Sequence, residues 1–253
     1  MREKDWNVKL RQGCRNLIEG LVALLYPSGL SCPLCRREEP VEGLLCGACQ
    51  LRLEVWREEP RCRCCGRPGP GEGKLCRDCR ESTPPFRLAR AAAPYDGPFR
   101  QAVHRLKFQG ELWLAEPLGL LMAETVSGEA GYGGTELVVP VPLHPGKLKA
   151  RGYNQSSLLG EVLSRKLLLP LGDRLLVKER ETRDQTGLTR KERWENLKGA
   201  FRVDKPQQVR GKSVLLVDDI LTTGSTVTHC AGTLLAAGAA EVTVITWAVG
   251  SNR

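Results

Sequence analysis

Apolar positions divide this chain into three stretches. In the first 26 residues, Leu10, Cys14, Leu17, Ile18, Leu21, Val22, Leu24 and Leu25 recur at helical spacing, which predicts an amphipathic helix ended by Pro27 and Gly29. That helix either packs on its own protein or serves a membrane surface or a partner. Residues 32–79 contain few large apolar side chains. From residue 88 onward, short apolar runs alternate with stretches whose apolar residues recur every three or four positions. This is the pattern of strands and helices in a parallel sheet. Strands are predicted at 88–95, 136–141, 175–177, 214–217 and 241–247, the last alternating Val242 and Val244 with Thr243 and Thr246. Helices are predicted at 99–108, 111–126, 156–169 and 227–237, with Gly238 as the final stop.

One stretch organises the rest. In residues 214–226, four apolar residues precede Asp218 and Asp219, and Thr222-Thr223-Gly224-Ser225-Thr226 follows. Strand, polar turn and helix together form an anion site, because N–H groups at a helix start point outward and carry partial positive charge. Gly224 removes a Cβ where an anion must come close, and the hydroxyls of Thr222, Thr223, Ser225 and Thr226 add donors. Two acids beside a phosphate cradle repel phosphate, so they need another partner. Vicinal sugar hydroxyls or Mg²⁺ would provide one. A phosphorylated ribose offers both halves. The plainer reading is a generic turn whose acids cap the next helix.

The apolar-poor segment contains four Cys-x-x-Cys pairs: Cys32/Cys35, Cys46/Cys49, Cys62/Cys65 and Cys76/Cys79. Each pair can place two thiolates on one tetrahedral ion, so two pairs complete a structural Cys₄ zinc site. The spacing repeats at an offset of 30 residues, which predicts two successive ribbons, each closing its own site, over a crossed arrangement. Reduced structural cysteines without metal are the alternative. Cys64 falls outside the repeat and reads as a spare or alternative ligand, while Cys14 and Cys230 read as buried small hydrophobes. Arg36, Arg37, Arg61, Arg63 and Arg67 would permit nucleic-acid or protein contacts.

Composition alters this picture little. Across 253 residues the formal charge is +9. Eight thiolates holding two dications would lower it to about +5, a modest basicity that fits a phosphate-rich ligand as well as DNA. Paired cysteines in a long chain favour metal over disulfides. The run at 21–26 is too short to span a membrane, and no cleavage signal follows it. A cytoplasmic protein without a transmembrane segment is expected, membrane-associated at most through partners.

Two basic segments lie near the proposed ligand end. The first follows the strand at 136–141 and contains Lys147, Lys149 and Arg151, with Gly152 allowing close approach. It is either a pyrophosphate site or a solvated loop. The second, residues 180–202, is polar and long for a connection. It reads as a lid or as a surface helix.

Residues 214–226 resemble the phosphoribosyl-pyrophosphate motif of type I phosphoribosyltransferases. The whole chain resembles the ComF/GntX family. The resemblance is carried by the paired knuckles, Tyr95-Asp96-Gly97 with Leu106-Lys107, Val139-Pro140-Val141-Pro142-Leu143, Arg151-Gly152-Tyr153-Asn154-Gln155, and Gln185-Thr186-Gly187-Leu188 with Arg193 and Asn196. It implies an N-terminal helix over 1–29, a double zinc ribbon over 30–82 and a type I phosphoribosyltransferase fold over 86–253, a parallel twisted sheet flanked by helices. It places Asp218 and Asp219 on the ribose hydroxyls with Mg²⁺ near, residues 222–226 on the 5′-phosphate, and Lys147 and Arg151 on pyrophosphate. It also implies a role in natural competence, with single-stranded DNA and a helicase or recombination-loading protein as partners. The alternative is an active phosphoribosyltransferase moving ribose 5-phosphate to a base or amine. No catalytic residue is identifiable from the sequence.

Overall fold

A computed structural model describes residues 31–250 except 42, 70, 72 and 183–188. The expected N-terminal helix, Cys14 and the Gln185-Thr186-Gly187-Leu188 motif therefore lie outside the described residues. Among the described residues, no helix is long and apolar enough to cross a membrane.

The core is a four-stranded parallel sheet in the order β1 (Leu88–Pro94), β6 (Glu241–Val249), β5 (Ser213–Leu221), β2 (Leu137–Pro140). β6 begins where expected and runs two residues beyond the expected end. It is buried along almost its whole length, because it sits between β1 and β5. Its threonines are accommodated by hydrogen bonding: Thr243 Oγ1 donates to Val214 O at 3.4 Å, and Thr246 Oγ1 donates to Ala248 O at 3.2 Å. β5 continues through the acids to Leu221, four residues beyond the expected end.

Helices cover the sheet. α3 (Gly97–Phe108) buries Phe99, Ala102, Val103 and Leu106. α4 (Ala115–Gly128) lies so close to α6 (Gln155–Leu167) that a Cβ on Gly119 would come within 2.6 Å of Val162. The segment expected as an open basic loop contains a helix, α5 (Pro145–Arg151), begun by His144 and stopped by Gly152 at φ 85°. β3 (Leu176–Lys178) pairs antiparallel with β4 (Phe201–Val203), a strand that had read as part of the polar segment. Three residues are too few to show a period. Between them, α7 (Arg190–Leu197) opens on a capping box in which Thr189 and Glu192 exchange hydrogen bonds. It packs on α8 (Ser225–Ala236), with Trp194 stacked against His229 at 4.3 Å between ring centroids. Of the two readings of this segment, lid or surface helix, residues from Arg190 to Leu197 follow the helical one.

The cysteine-rich segment folds as two ribbons with helices α1 (Gly47–Glu58) and α2 (Arg77–Glu81). It is bound tightly to the sheet domain. Leu34, Leu53 and Trp56 share one apolar cluster with Phe86 and Phe99. The second ribbon covers the free edge of β1, where Ala89 N–H donates to Cys64 O at 2.7 Å. An open strand edge is a hazard for aggregation, and this contact covers it. Two of the arginines that could have met outside partners are withdrawn from solvent instead: Arg61 lies half-buried over the Trp56 ring and Arg67 is buried, while Arg36 stays exposed and pairs with Glu111.

Gly66 makes that edge contact possible. Its φ is +68°, and a Cβ there would lie 2.6 Å from Ala89 O. Gly66→Ala is expected to destabilise the zinc-loaded protein by about 2–5 kcal/mol, from left-handed strain plus overpacking. Thermal unfolding measures this, and an unchanged midpoint would contradict the contact.

Candidate functional site

The site lies where the sheet loses a strand. β2 pairs with β5 as far as Pro140 opposite Val217, and Val141 N–H closes the ladder on Val217 O at 2.8 Å. Beyond that point β5 has a neighbour on one side only, β6, and the next residues are Asp218 and Asp219. This is the carboxyl end of the strands, where open parallel sheets bind ligands.

Both acids are buried. Asp218 Oδ1 accepts from Ser156 Oγ at 3.0 Å and from Asp219 N–H at 2.9 Å. Burial and the adjacent Asp219 charge push the Asp218 carboxyl up to about 7, against the pull of Lys107. Asp219 Oδ2 lies 2.7 Å from Lys107 Nζ. The ammonium sits outside hydrogen-bonding angles, so this is an ion pair without a directed bond. Sequence reading missed both partners, although Lys107 belongs to a quoted motif. Ser156 and Asp218 are 62 positions apart.

The turn follows directly. Gly224 takes φ 82° and caps α8. Thr223 Oγ1 and Ser225 Oγ are 2.9 Å apart, and Ser225 N–H donates to Thr223 Oγ1 at 3.4 Å. The N–H groups of Thr223 and Gly224 donate to no backbone carbonyl among the described residues. This leaves two backbone donors, two hydroxyls and a helix start for an anion.

The basic segment comes to the same end of the sheet. Asn154 fastens it there: its Nδ2 donates to Val141 O at 3.0 Å, and its Oδ1 caps α6 by accepting from Ser156 N–H at 3.1 Å. Lys147 and Arg151 both lie on α5. Arg151 donates to Gln155 and stacks over Phe108 at 5.2 Å, beside Lys107. A further lysine that sequence reading missed, Lys178 on β3, donates to Thr182 Oγ1 at 2.7 Å. Burial pushes its ammonium down and Lys147 adds to the effect, while Asp218 opposes it. Lys178 therefore feels both the basic helix and the acid pair. A lysine ending a three-residue strand gives no signal in sequence.

The eight paired cysteines form two groups. Cys32, Cys35, Cys46 and Cys49 lie together, as do Cys62, Cys65, Cys76 and Cys79, with all ligand atoms of each group within 4.8 Å of one another. This is the sequential pairing the repeat predicted. The chemistry of the donors fits a dication. Burial and the Cys32 charge hold Cys49 far above the usual thiol range, and Cys46, also buried, rises to about 11. In the same group, burial pushes Cys35 up, but hydrogen bonds from the Arg37 backbone, Cys46, the Glu38 backbone and Cys49 together bring it down to about 7. Four crowded thiols cannot all ionise without a cation to offset their charge. Cys64 stands outside the group, hydrogen-bonded to Cys79, which lowers its pKa. Cys230 is fully buried, as expected.

Comparison with known proteins agrees with both halves. Residues 21–80 match the double zinc ribbon domain, and residues 154–252 match the phosphoribosyl transferase domain. The DNA utilization protein YhgH of Escherichia coli is 37% identical over 66% of this chain and 74% of its own length. Competence protein F of Haemophilus influenzae is 31% identical over 79% of this chain and 88% of its own. Competence protein ComFC of Bacillus subtilis is 30% identical over 92% of this chain and 80% of its own. With a cysteine ribbon fused to a parallel sheet that ends in an acid pair and a Thr-Thr-Gly-Ser-Thr turn, this chain belongs to the ComF/GntX family of phosphoribosyltransferase-like proteins.

Proposed function

We propose that this protein binds phosphoribosyl pyrophosphate with Mg²⁺ and acts in natural competence, in the handling of incoming single-stranded DNA beside a helicase. The observation that carries the ligand reading is the adjacency of a buried acid pair and an anion turn at the one strand end where β2 has stopped. Asp218 and Asp219 would accept from the ribose hydroxyls, and Thr222, Thr223, Gly224, Ser225 and Thr226 would hold the 5′-phosphate. Lys147 and Arg151 would hold the pyrophosphate. Lys107 already balances the Asp219 charge, so Asp218 would be the carboxylate left to help hold a dication. When bound, Mg²⁺ would neutralise pyrophosphate oxygens. The competence role rests on the relatives named for competence and DNA utilization.

Calorimetry with phosphoribosyl pyrophosphate tests the ligand. One saturable site that needs Mg²⁺ is expected, and no heat at millimolar ligand would remove the proposal. Binding of single-stranded DNA, measured across a salt series, tests the role separately.

A further inference from the structure

The second ribbon also reaches the anion turn, through one side chain. Arg67 belongs to the knuckle that presents Cys62 and Cys65: its carbonyl accepts from Cys62 N–H at 2.8 Å, and Gly66 N–H donates to Cys62 O at 3.0 Å. The side chain leaves the ribbon and is only 4% exposed. Nη1 donates to Asp78 Oδ2 at 2.7 Å, Nη2 donates to the main-chain oxygen of Thr222, and Nε has no hydrogen-bond partner among the described residues. Asp78 lies between Cys76 and Cys79, so both ends of the ribbon side of this clamp are set by cysteine pairs of one group. Its target is the first residue of the anion turn, 155 positions away. Beside the clamp, a cleft of about 430 Å³ separates ribbon from turn, with Cys65 and Cys79 on one wall and Thr223, Gly224 and Ser225 on the other.

We propose that Arg67 is a positioning residue for the anion turn, tying phosphate binding in the sheet domain to the folded state of the second ribbon. The reason is peptide geometry. In a trans peptide the C=O of one residue and the N–H of the next point in opposite directions, and the described residues contain no cis bond. Drawing the Thr222 carbonyl toward the ribbon therefore aims the Thr223 N–H away from it. That N–H, with that of Gly224, is unused by the backbone. Asp78 offsets most of the guanidinium charge, so the contribution is orientation more than field. The planar fork makes two contacts in different directions, which a lysine ammonium does not reproduce. A buried guanidinium with an unpaired N–H is costly for stability alone, which favours a role beyond it.

This inference rests on the proposed phosphate role of residues 222–226. The test compares wild type, Arg67→Met, Arg67→Lys and Asp78→Asn, each confirmed to hold two zinc ions, by titration with ribose 5-phosphate, phosphoribosyl pyrophosphate and magnesium pyrophosphate. Arg67→Met is expected to weaken ribose 5-phosphate and phosphoribosyl pyrophosphate at least tenfold and to leave magnesium pyrophosphate within twofold. Arg67→Lys should not restore binding. Unchanged ribose 5-phosphate affinity overturns the assignment, as does equal weakening of all three ligands, which marks general damage. If Arg67→Met loses zinc or unfolds, Asp78→Asn decides: it frees the guanidinium without removing it, and should show the same selective loss at smaller size, with no selective loss counting against the role. A wild-type protein that binds none of the three ligands removes the ligand proposal itself, and this one with it.

Discussion

Asp218→Asn is expected to weaken phosphoribosyl pyrophosphate binding while stabilising the fold. Losing a charged acceptor for a ribose hydroxyl costs about 1.5–3 kcal/mol, roughly tenfold to a hundredfold in affinity. Stability should move the other way. Asn is nearly isosteric, and its Oδ1 can still accept from Ser156 Oγ and Asp219 N–H. What it removes is a carboxylate that burial and its neighbour oppose. The folded carboxyl is raised from 3.8 to about 7, so across that interval the native state holds a proton that the unfolded chain has released. Wild-type stability therefore falls as pH rises through this window, and the variant lacks that fall. Melting at several pH values should show the variant's advantage growing from pH 4 to 7 and then levelling. Asp219→Asn should behave oppositely, because it leaves the half-buried Lys107 ammonium without its counter-charge. If both substitutions shifted stability in the same direction, the electrostatic reading of the pair would be wrong.

Removing zinc should have the largest effect on structure. Among the described residues, the second ribbon's own cluster consists of buried Cys62, Cys65 and Cys79 with partly buried Leu75, Cys64 and Cys76 against them, too little to make a core without a metal. Structural zinc supplies about 10–16 kcal/mol in small thiolate sites, far more than this segment could replace. The first ribbon differs, since Leu34, Leu53 and Trp56 join the main apolar cluster. Cys79→Ser should therefore unfold its ribbon more completely than Cys49→Ser unfolds the first. Loss of the second site would also release Cys64 O from Ala89 N–H and expose the β1 edge, so aggregation should follow. Zinc quantification beside thermal melting and light scattering checks this. A melting midpoint unmoved after complete chelation would show that the ribbons stand without metal.

Much of this was legible in sequence where the governing interactions are local. The knuckle spacing and its repeat gave both Cys₄ groups with the correct partners, because a Cys-x-x-Cys turn sets its two thiols within a few residues. The capping box at Thr189 and Glu192 is written in four consecutive positions, within a segment that reads as a lid or as a surface helix. Errors arose where a neighbour decided the outcome. The alternation of valine and threonine in β6 does not record that the strand is central, which only the strands on both sides decide. The ribbon arginines read as available for outside contacts, and only docking against the sheet domain sets Arg67 on Thr222 and Arg36 on Glu111.

The sequence by itself determined a strand, an acid pair and a hydroxyl-rich turn in that order, and two sets of four thiols. Each is a short window whose backbone geometry follows from its own residues. Tertiary structure decided what those windows face. Sheet order stopped β2 at Pro140 and so opened the acid pair, brought Lys107 to Asp219 and Ser156 to Asp218, and set Arg67 of the ribbon on Thr222. These partners lie far along the chain from the residues they serve. Their pairing depends on which strands lie side by side, and no local period records that.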